Sequence, residues 1–466
     1  MFKLKYILLF VFLTSCSTEH PVNFDVSVSD SDILKTLNIE NTNNKITNTW
    51  YYIFEDKTLN TLLLKAIKNN LSIKQAQERL KQARYSYMIE TKSFLPNIEA
   101  MGEYNFNKTN NKNFSFNEEN LFKVGFDASW EIDIWGKNDF IKEQYKEITN
   151  KARFNLWDLK VSIIAEVIDN YISLREAEKK LNITKKNITL QKDILNTVKD
   201  KYSAGIEDEL ALKQAEFSLE KTKQTSPSLK IQIENSKNRI ALLLGILPYE
   251  LEKMLNTEKN ITSKAFKYSV KELHKLPLSI IQTRPDIRIA ETNLKTQNAL
   301  VNQAIIETLP SISLQSSFGF ISGSGRKLIG RNKQTYGYTP SITIPIWNWG
   351  ELKNNIELQK HIEKEYMLLY NEAIISAVLE LKDAIFEVEK TFEINSYLKN
   401  SLAEMRTIFE LTKSKYLNGI IDFTDLATAE QNLLDAENQY IQSNADIYRK
   451  ITSFYKATGG GYNFIQ

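Results

Sequence analysis

Cysteine is nearly absent: Cys16 is the single one in 466 residues, which excludes an internal disulfide and any cysteine-built metal site. Histidine is almost as scarce. His20, His274 and His361 have no partner at metal-ligand spacing, and His20 lies in a start expected to be flexible. The six methionines are scattered, so no methionine-lined metal path is indicated. There is no nucleophile elbow and no phosphate loop; Gly323-Ser324-Gly325 falls between two strand-like segments and reads as a loop tip. Carboxylates are many, but on long helices they form solvated faces. An excess of one charge is also missing: Lys+Arg number 60 against 57 Asp+Glu, a net +3, so no nucleic-acid footprint exists. Beyond the start, no stretch approaches the ~20 apolar residues of a transmembrane helix. These absences argue against an enzyme, a cofactor and a metal centre.

The start does carry a signal. Lys3 and Lys5 precede an apolar run over residues 7–13, too short to cross a bilayer and of signal-peptide length. It ends in Leu13-Thr14-Ser15-Cys16, which resembles the lipobox of bacterial lipoproteins. That resemblance implies cleavage before Cys16, acylation of Cys16, and, with Ser17 rather than Asp following, sorting to the outer membrane. One lipid signal anchors only marginally, so further membrane contacts are expected.

Glycine and proline are missing from two long windows, residues 137–204 and 351–418, each of 68 residues. As a continuous helix such a window runs about 100 Å at ~1.5 Å per residue. Small and apolar residues recur along it (Ala373, Ala377, Leu381, Ala384 and Val388; Val161, Ala165, Ile168 and Ile172), a stripe for close helix packing. Each window ends in Tyr-x-x-Gly-Ile, at Tyr202 to Ile206 and Tyr416 to Ile420. Glycine there suits a left-handed C-cap, and Asp208 or Asp422 can cap a returning helix. Each window therefore predicts a helical hairpin, the first with Pro227 expected to kink its return. The length fits a tube or stalk.

The two windows are copies. Residues 80–245 recur 214 positions later without insertion or deletion: Trp135-Gly136 maps to Trp349-Gly350 and Lys201-Tyr202 to Lys415-Tyr416 (349 − 135 = 415 − 201 = 214). One long unit used twice suggests two quasi-equivalent halves around an axis.

Ahead of each hairpin lie two segments of strict two-residue alternation. Ile98, Ala100, Tyr104 and Phe106 alternate with Glu99, Met101, Glu103 and Asn105, and Phe122, Val124, Phe126 and Trp130 with Lys123, Gly125, Asp127 and Glu131. The second copy repeats this over Ile312 to Phe320 and Tyr336 to Ile346. Strands with one apolar and one polar face match transmembrane β-strands, with a soluble sheet on a core as the alternative. Four strands cannot close a barrel whose smallest form has eight, and unpaired edges are forbidden in lipid. The chain must therefore oligomerise, as a dimer at least.

The segment Leu276-Pro277-Leu278-Ser279-Ile280-Ile281-Gln282-Thr283-Arg284-Pro285-Asp286-Ile287-Arg288-Ile289-Ala290-Glu291 is similar to a signature of TolC-like outer membrane factors, in their lipoprotein branch, with Thr283 in place of a usual arginine. Phe94-Leu95-Pro96, the run from Ser129 to Lys137, the run from Pro340 to Gly350, and Gly459-Gly460-Gly461-Tyr462 also match. The resemblance implies an all-α plus membrane β fold: a homotrimer with a twelve-stranded β-barrel in outer membrane lipids, continued by a long α-helical periplasmic barrel. It implies a belt around the middle formed by residues of about 17–55, 246–283 and 460–466. It places contact with a periplasmic adaptor at Gly205-Ile206 and Gly419-Ile420, with an RND-type inner-membrane pump beyond. It also places a periplasmic gate at Asp422 and Asp425, where Asp422 has a competing role as helix cap and Thr428 replaces a further acidic position. No cofactor is implied.

The resulting division is a signal peptide (1–15), a lipidated segment and belt (16–55), a first repeat (56–245), a linker (246–283), a second repeat (284–459) and a tail (460–466). The strands are expected at 96–108, 120–134, 310–322 and 334–348, and the hairpins at 137–245 and 351–457. The expected function is the outer membrane channel of a tripartite efflux pump, a passive duct for drugs or other small toxic compounds. The alternatives are the duct of a type I protein-secretion system, or a coiled-coil lipoprotein without a pore.

Overall fold

The computed structural model describes residues 19–22, 24–26, 28–38, 49–111, 115–255 and 279–461. Cys16, His274 and residues 276–278 lie outside them. Element order is α1 (Asp30–Leu37), a 3-10 turn (Trp50–Phe54), α2 (Lys57–Asn69), α3 (Leu71–Glu90), β1 (Asn97–Asn111), β2 (Ser115–Ile132), α4 (Lys137–Ser203), α5 (Glu209–Leu244), α6 (Pro248–Leu255), α7 (Ser279–Gln282), α8 (Pro285–Ile306), β3 (Ser311–Ser322), β4 (Gln334–Thr343), α9 (Glu351–Leu417) and α10 (Phe423–Ala457). Helices α4 and α9 have 67 residues each and start and stop 214 positions apart. Left-handed glycines keep the same spacing: Gly136 and Gly350, Gly205 and Gly419, Gly245 and Gly459. Pro227 lies inside α5 and does not end it.

The compact units do not follow the repeats. One unit holds residues 79–153 and 289–371 with the stretch up to Val26; the other holds 27–78, 154–288 and 372–466. Each takes a part of both copies, because pieces of the two copies pack on each other, as β2 does on β3, as well as within one copy. The amino-terminal stretch is divided as well. His20 belongs to the first unit and makes contacts there: its Nε2 lies 2.8 Å from Glu363 Oε2, its amide donates to Asn302 Oδ1, and its carbonyl accepts from Asn298 and Asn302. Asn298 and Asn302 hold the passing backbone, and Glu363 holds the His20 ring.

In the first unit the strands form one antiparallel sheet of order β1-β2-β3-β4, so β1 and β4 are its edges. Its apolar face is bare. Tyr336 and Tyr338 are 78% and 76% exposed, with Ile98, Phe126 and Phe318 also open. A soluble sheet of this composition would bury that face. Strand β4 ends five residues short of the expected 348, since Thr343 pairs with Ser311, the first residue of β3, and nothing beyond it remains to bond. Strands β1 and β2 run further toward each other than expected, to Asn111 and from Ser115, where the polar Asn-rich sequence shows no alternation. No described helix is long and apolar enough to cross a membrane.

The second unit is built on helix faces. Leu62, Leu63 and Ala66 of α2, Val167, Ile168 and Leu174 of α4, and Ile240 and Leu244 of α5 are fully buried. Trp50 stacks on Tyr455 at 4.7 Å, which ties the 3-10 turn to α10.

Candidate functional site

The two hairpin turns of the second unit are constructed alike. Gly205 and Gly419 have φ of +72° and +70°, which L side chains rarely adopt. Ile206 N donates to Lys201 O and Gly205 N to Tyr202 O, both at 2.9 Å; Ile420 N donates to Lys415 O and Gly419 N to Tyr416 O, at 2.9 and 3.1 Å. This Schellman pattern satisfies carbonyls that a helix end would leave orphaned. The glycines therefore are caps. The isoleucines stand out, 72% and 68% exposed, as an apolar knob on each turn.

Asp208 and Asp422 start the returning helices, accepting from Ala211 N at 2.9 Å and from Asp425 N at 3.2 Å. Asp422 is thus the N-cap of α10. Asp425 sits in the first turn, exposed, and its carboxylate makes no hydrogen bond or ion pair with a described residue. Both carboxylates lie at the N-terminus of α10.

Behind the turns lies a core of Val198 from α4, Ala215 and Leu219 from α5, Phe409 from α9, and Leu426 and Ala429 from α10. Lys201 spans the two copies: its Nζ lies 4.0 Å from the Tyr416 ring centroid and donates to the Tyr416 carbonyl at 3.1 Å. Burial, and then the charge of Glu207, push the Tyr416 phenol up.

Sequence reading missed Glu430. It is 5% exposed, and its Oε1 has no hydrogen-bond partner among the described residues. Burial pushes its carboxyl up to about 7, against smaller opposing effects of Gln191 and Lys413. Gln191 Oε1 is likewise without a partner. Helical spacing could not single it out, since its counterpart Glu216 occupies the same repeat position, partly exposed and paired with Lys213 at 3.0 Å.

The Arg-Pro-Asp-Ile segment has a structural task. Arg284, buried, donates to the carbonyl of Ala457 at the end of α10, to both oxygens of Asp286 and to Glu380 of α9. Gly459 and Gly460 follow, with φ of +74° and +66°. A Cβ on Gly459 would lie 3.2 Å from Arg284 Cα, and one on Gly460 2.6 Å from Val161 Cγ2. The glycine run is therefore needed to dock the end of α10. Burial and the nearby Asp286 charge raise the pKa of Asp158 in the same junction.

All six turn residues expected from the sequence, Gly205, Ile206, Gly419, Ile420, Asp422 and Asp425, lie on these two turns. Cys16 falls outside the described residues. No group of three or more His, Cys, Asp or Glu among the described residues could hold a metal ion.

A family model described as outer membrane efflux protein matches residues 62–246 and again 276–460, two matches 214 positions apart (276 − 62 = 460 − 246 = 214). The chain is similar to the cation efflux system protein CusC of Escherichia coli, 24% identical over 416 residues, covering 89% of this chain and 88% of that one. It is similar to the probable efflux pump outer membrane protein TtgC of Pseudomonas putida, 24% identical over 422 residues, covering 89% and 85%. The fold matches the CmeC outer membrane channel of Campylobacter jejuni with a TM-score of 0.85 at 26% identity, covering 96% of this chain and 95% of that one. Two family matches at the repeat offset, covering most of the chain, mean that it belongs to the outer membrane efflux protein family.

Proposed function

We propose that the chain is the outer membrane channel of a tripartite efflux pump, a passive duct for drugs or other small toxic compounds. Three copies would supply twelve strands, with Cys16 acylated at the inner leaflet and the hairpins reaching into the periplasm. The observation that carries this reading is the sheet: four strands with a bare apolar face and two unpaired edges have no stable use except in a closed barrel within lipid. A coiled-coil lipoprotein without a pore would need neither the strands nor the duplication. Purified protein is expected to give discrete conductance steps in planar bilayers; their absence from folded oligomers would exclude a channel.

The turn of the second hairpin supplies the gate. Asp425 is the better candidate for a ring of carboxylates, because Asp422 is engaged in capping α10. Carboxylates around a narrow mouth attract cations. Asp425→Ala should raise single-channel conductance or weaken cation selectivity and divalent-ion block. A folded variant that conducts and selects like the parent would overturn the acidic gate.

The exposed Ile206 and Ile420 support docking of a periplasmic adaptor on the turns. A photo-reactive cross-linker on a cysteine at Ala204 or Asn418 should capture the adaptor that serves the pump, which an RND-type inner-membrane protein would energise. No capture at either position, with the oligomer intact, argues against tip docking.

A further inference from the structure

We infer that the connection between β3 and β4 binds phosphate-bearing lipid headgroups of the outer leaflet, through Arg326, Lys327 and Lys333 around the exposed Ile329. The site rests on the proposed function for one thing, the orientation of the sheet in an outer membrane. It adds a ligand class at a place that the duct itself does not use.

Charge is the first observation. Between Glu307 and Glu351 the sequence has no acidic residue. Inside that stretch Arg326, Lys327, Arg331 and Lys333 fall within eight positions, a charge of +4 against +3 for the whole chain. The β1–β2 connection does not offset them, since residues 106–122 hold Lys108 and Lys112 against Glu118 and Glu119, a balance of zero. On the long helices, lysines pair with carboxylates three positions away, as Lys142 does with Asp139 and Lys390 with Glu393. The β3–β4 connection has no such neighbour in sequence, and Arg326, Lys327 and Lys333 are all exposed. Like charges this close repel one another, and an anion from outside relieves them.

The position of the connection selects the anion. Strand β3 follows α8 and β4 leads into α9, so the connection lies at the end of the sheet far from those helices. It folds as two 3-10 turns, Gly325–Lys327 and Arg331–Lys333. The first turn lies against the apolar face of the sheet: a Cβ on Gly325 would be 3.3 Å from the Phe122 ring. Phe122 shares that face with Val124 and Phe126 and packs on Tyr104 at 4.6 Å, and the Tyr104 hydroxyl donates to Asn120. An aromatic pair with a polar handle, at the end of an apolar band, marks the headgroup level of a membrane strand. Ile329, 79% exposed, stands between the two basic turns and can enter the boundary between headgroups and acyl chains. Cations beside the apolar face at this level meet lipid headgroups, whereas cations over the polar face would meet permeating solutes. Arg and Lys both suit phosphate, Arg by a two-pronged hydrogen bond and Lys as a point charge.

The test titrates detergent-solubilised, full-length protein with diphosphoryl lipid A and counts bound lipid by native mass spectrometry. Dephosphorylated lipid A and inorganic phosphate are the parallel probes. The parent should prefer the phosphorylated lipid, and inorganic phosphate should not displace it. Near a headgroup layer each charge contributes about fivefold, so K327Q should weaken binding by about that factor and R326Q/K327Q/K333Q by about two orders of magnitude. K327R/K333R should bind like the parent. No preference for the phosphorylated lipid, or equal binding by parent and triple variant, overturns the site. Full displacement by inorganic phosphate makes it a free-phosphate site and overturns lipid docking. Unchanged lipid binding with altered ion selectivity of the triple variant in planar bilayers sets the cations over the exit, and overturns it too. Conductance keeps the two readings apart. A triple variant that conducts but has lost the lipid is folded and upholds both, and a parent that binds the lipid without conducting upholds the site and refutes the duct.

Discussion

Gly125→Ala is expected to abolish correct assembly of the sheet, whereas Gly102→Ala, in the neighbouring strand, leaves it intact. A Cβ on Gly125 would lie 2.3 Å from the carbonyl oxygen of Phe318 and 2.7 Å from Gly319 Cα, both backbone atoms that no rotamer change can move. Gly319 meets Val124 O at 2.5 Å in the reverse direction. Relief requires parting β2 from β3, with loss of ladder bonds, so the effect should exceed the 1–3 kcal/mol typical of overpacking. Gly102 has nothing within 4 Å of its Cβ position. The measurement is the fraction of protein recovered from outer membranes as folded, protease-resistant oligomer. Near-parental recovery of Gly125→Ala would show that the strands do not approach in this register.

The second large effect is pH-dependent. Folded Glu430 holds its proton up to about pH 7, while in the unfolded chain the carboxyl ionises near its ordinary 4.5. Between these values the folded state binds more protons than the unfolded one, so its stability falls as pH rises, and the loss is complete above pH 7. A difference of this size corresponds to about 3 kcal/mol. Glu430→Gln keeps the shape and has no proton to lose. Its hairpin should therefore be more stable than the parent's at pH 8, with little difference near pH 4. Hydrogen exchange of the α10 amides around residue 430, corrected for intrinsic rates, checks this at both pH values. An equal pH dependence in variant and parent would mean that Glu430 is hydrated in solution.

Much of the fold was legible because it depends on local rules. Two 68-residue windows without glycine or proline permit only very long helices, and α4 and α9 fill them. Alternation with period two marked the strands, and Gly205 and Gly419 marked turns that only a left-handed residue can close. Boundaries failed where a partner, not the residue itself, decides: β4 stops at Thr343 because β3 begins at Ser311, although its alternation continues.

The sequence by itself determined the duplication, the hairpins and the amphipathic strands. Each is a periodicity or spacing along the chain. Only the tertiary structure decided that Asp422 is a cap while Asp425 is free, that Arg284 clamps the end of α10, and that Glu430 is buried while its repeat counterpart Glu216 is partly exposed. The physical reason is that equivalent positions in two copies share backbone geometry but not surroundings. Cover differs from position to position: the α10 face at Glu430 is buried, while the α5 face at Glu216 stays partly open. Hydrogen-bond satisfaction and desolvation depend on that cover, and repeat spacing carries no record of it.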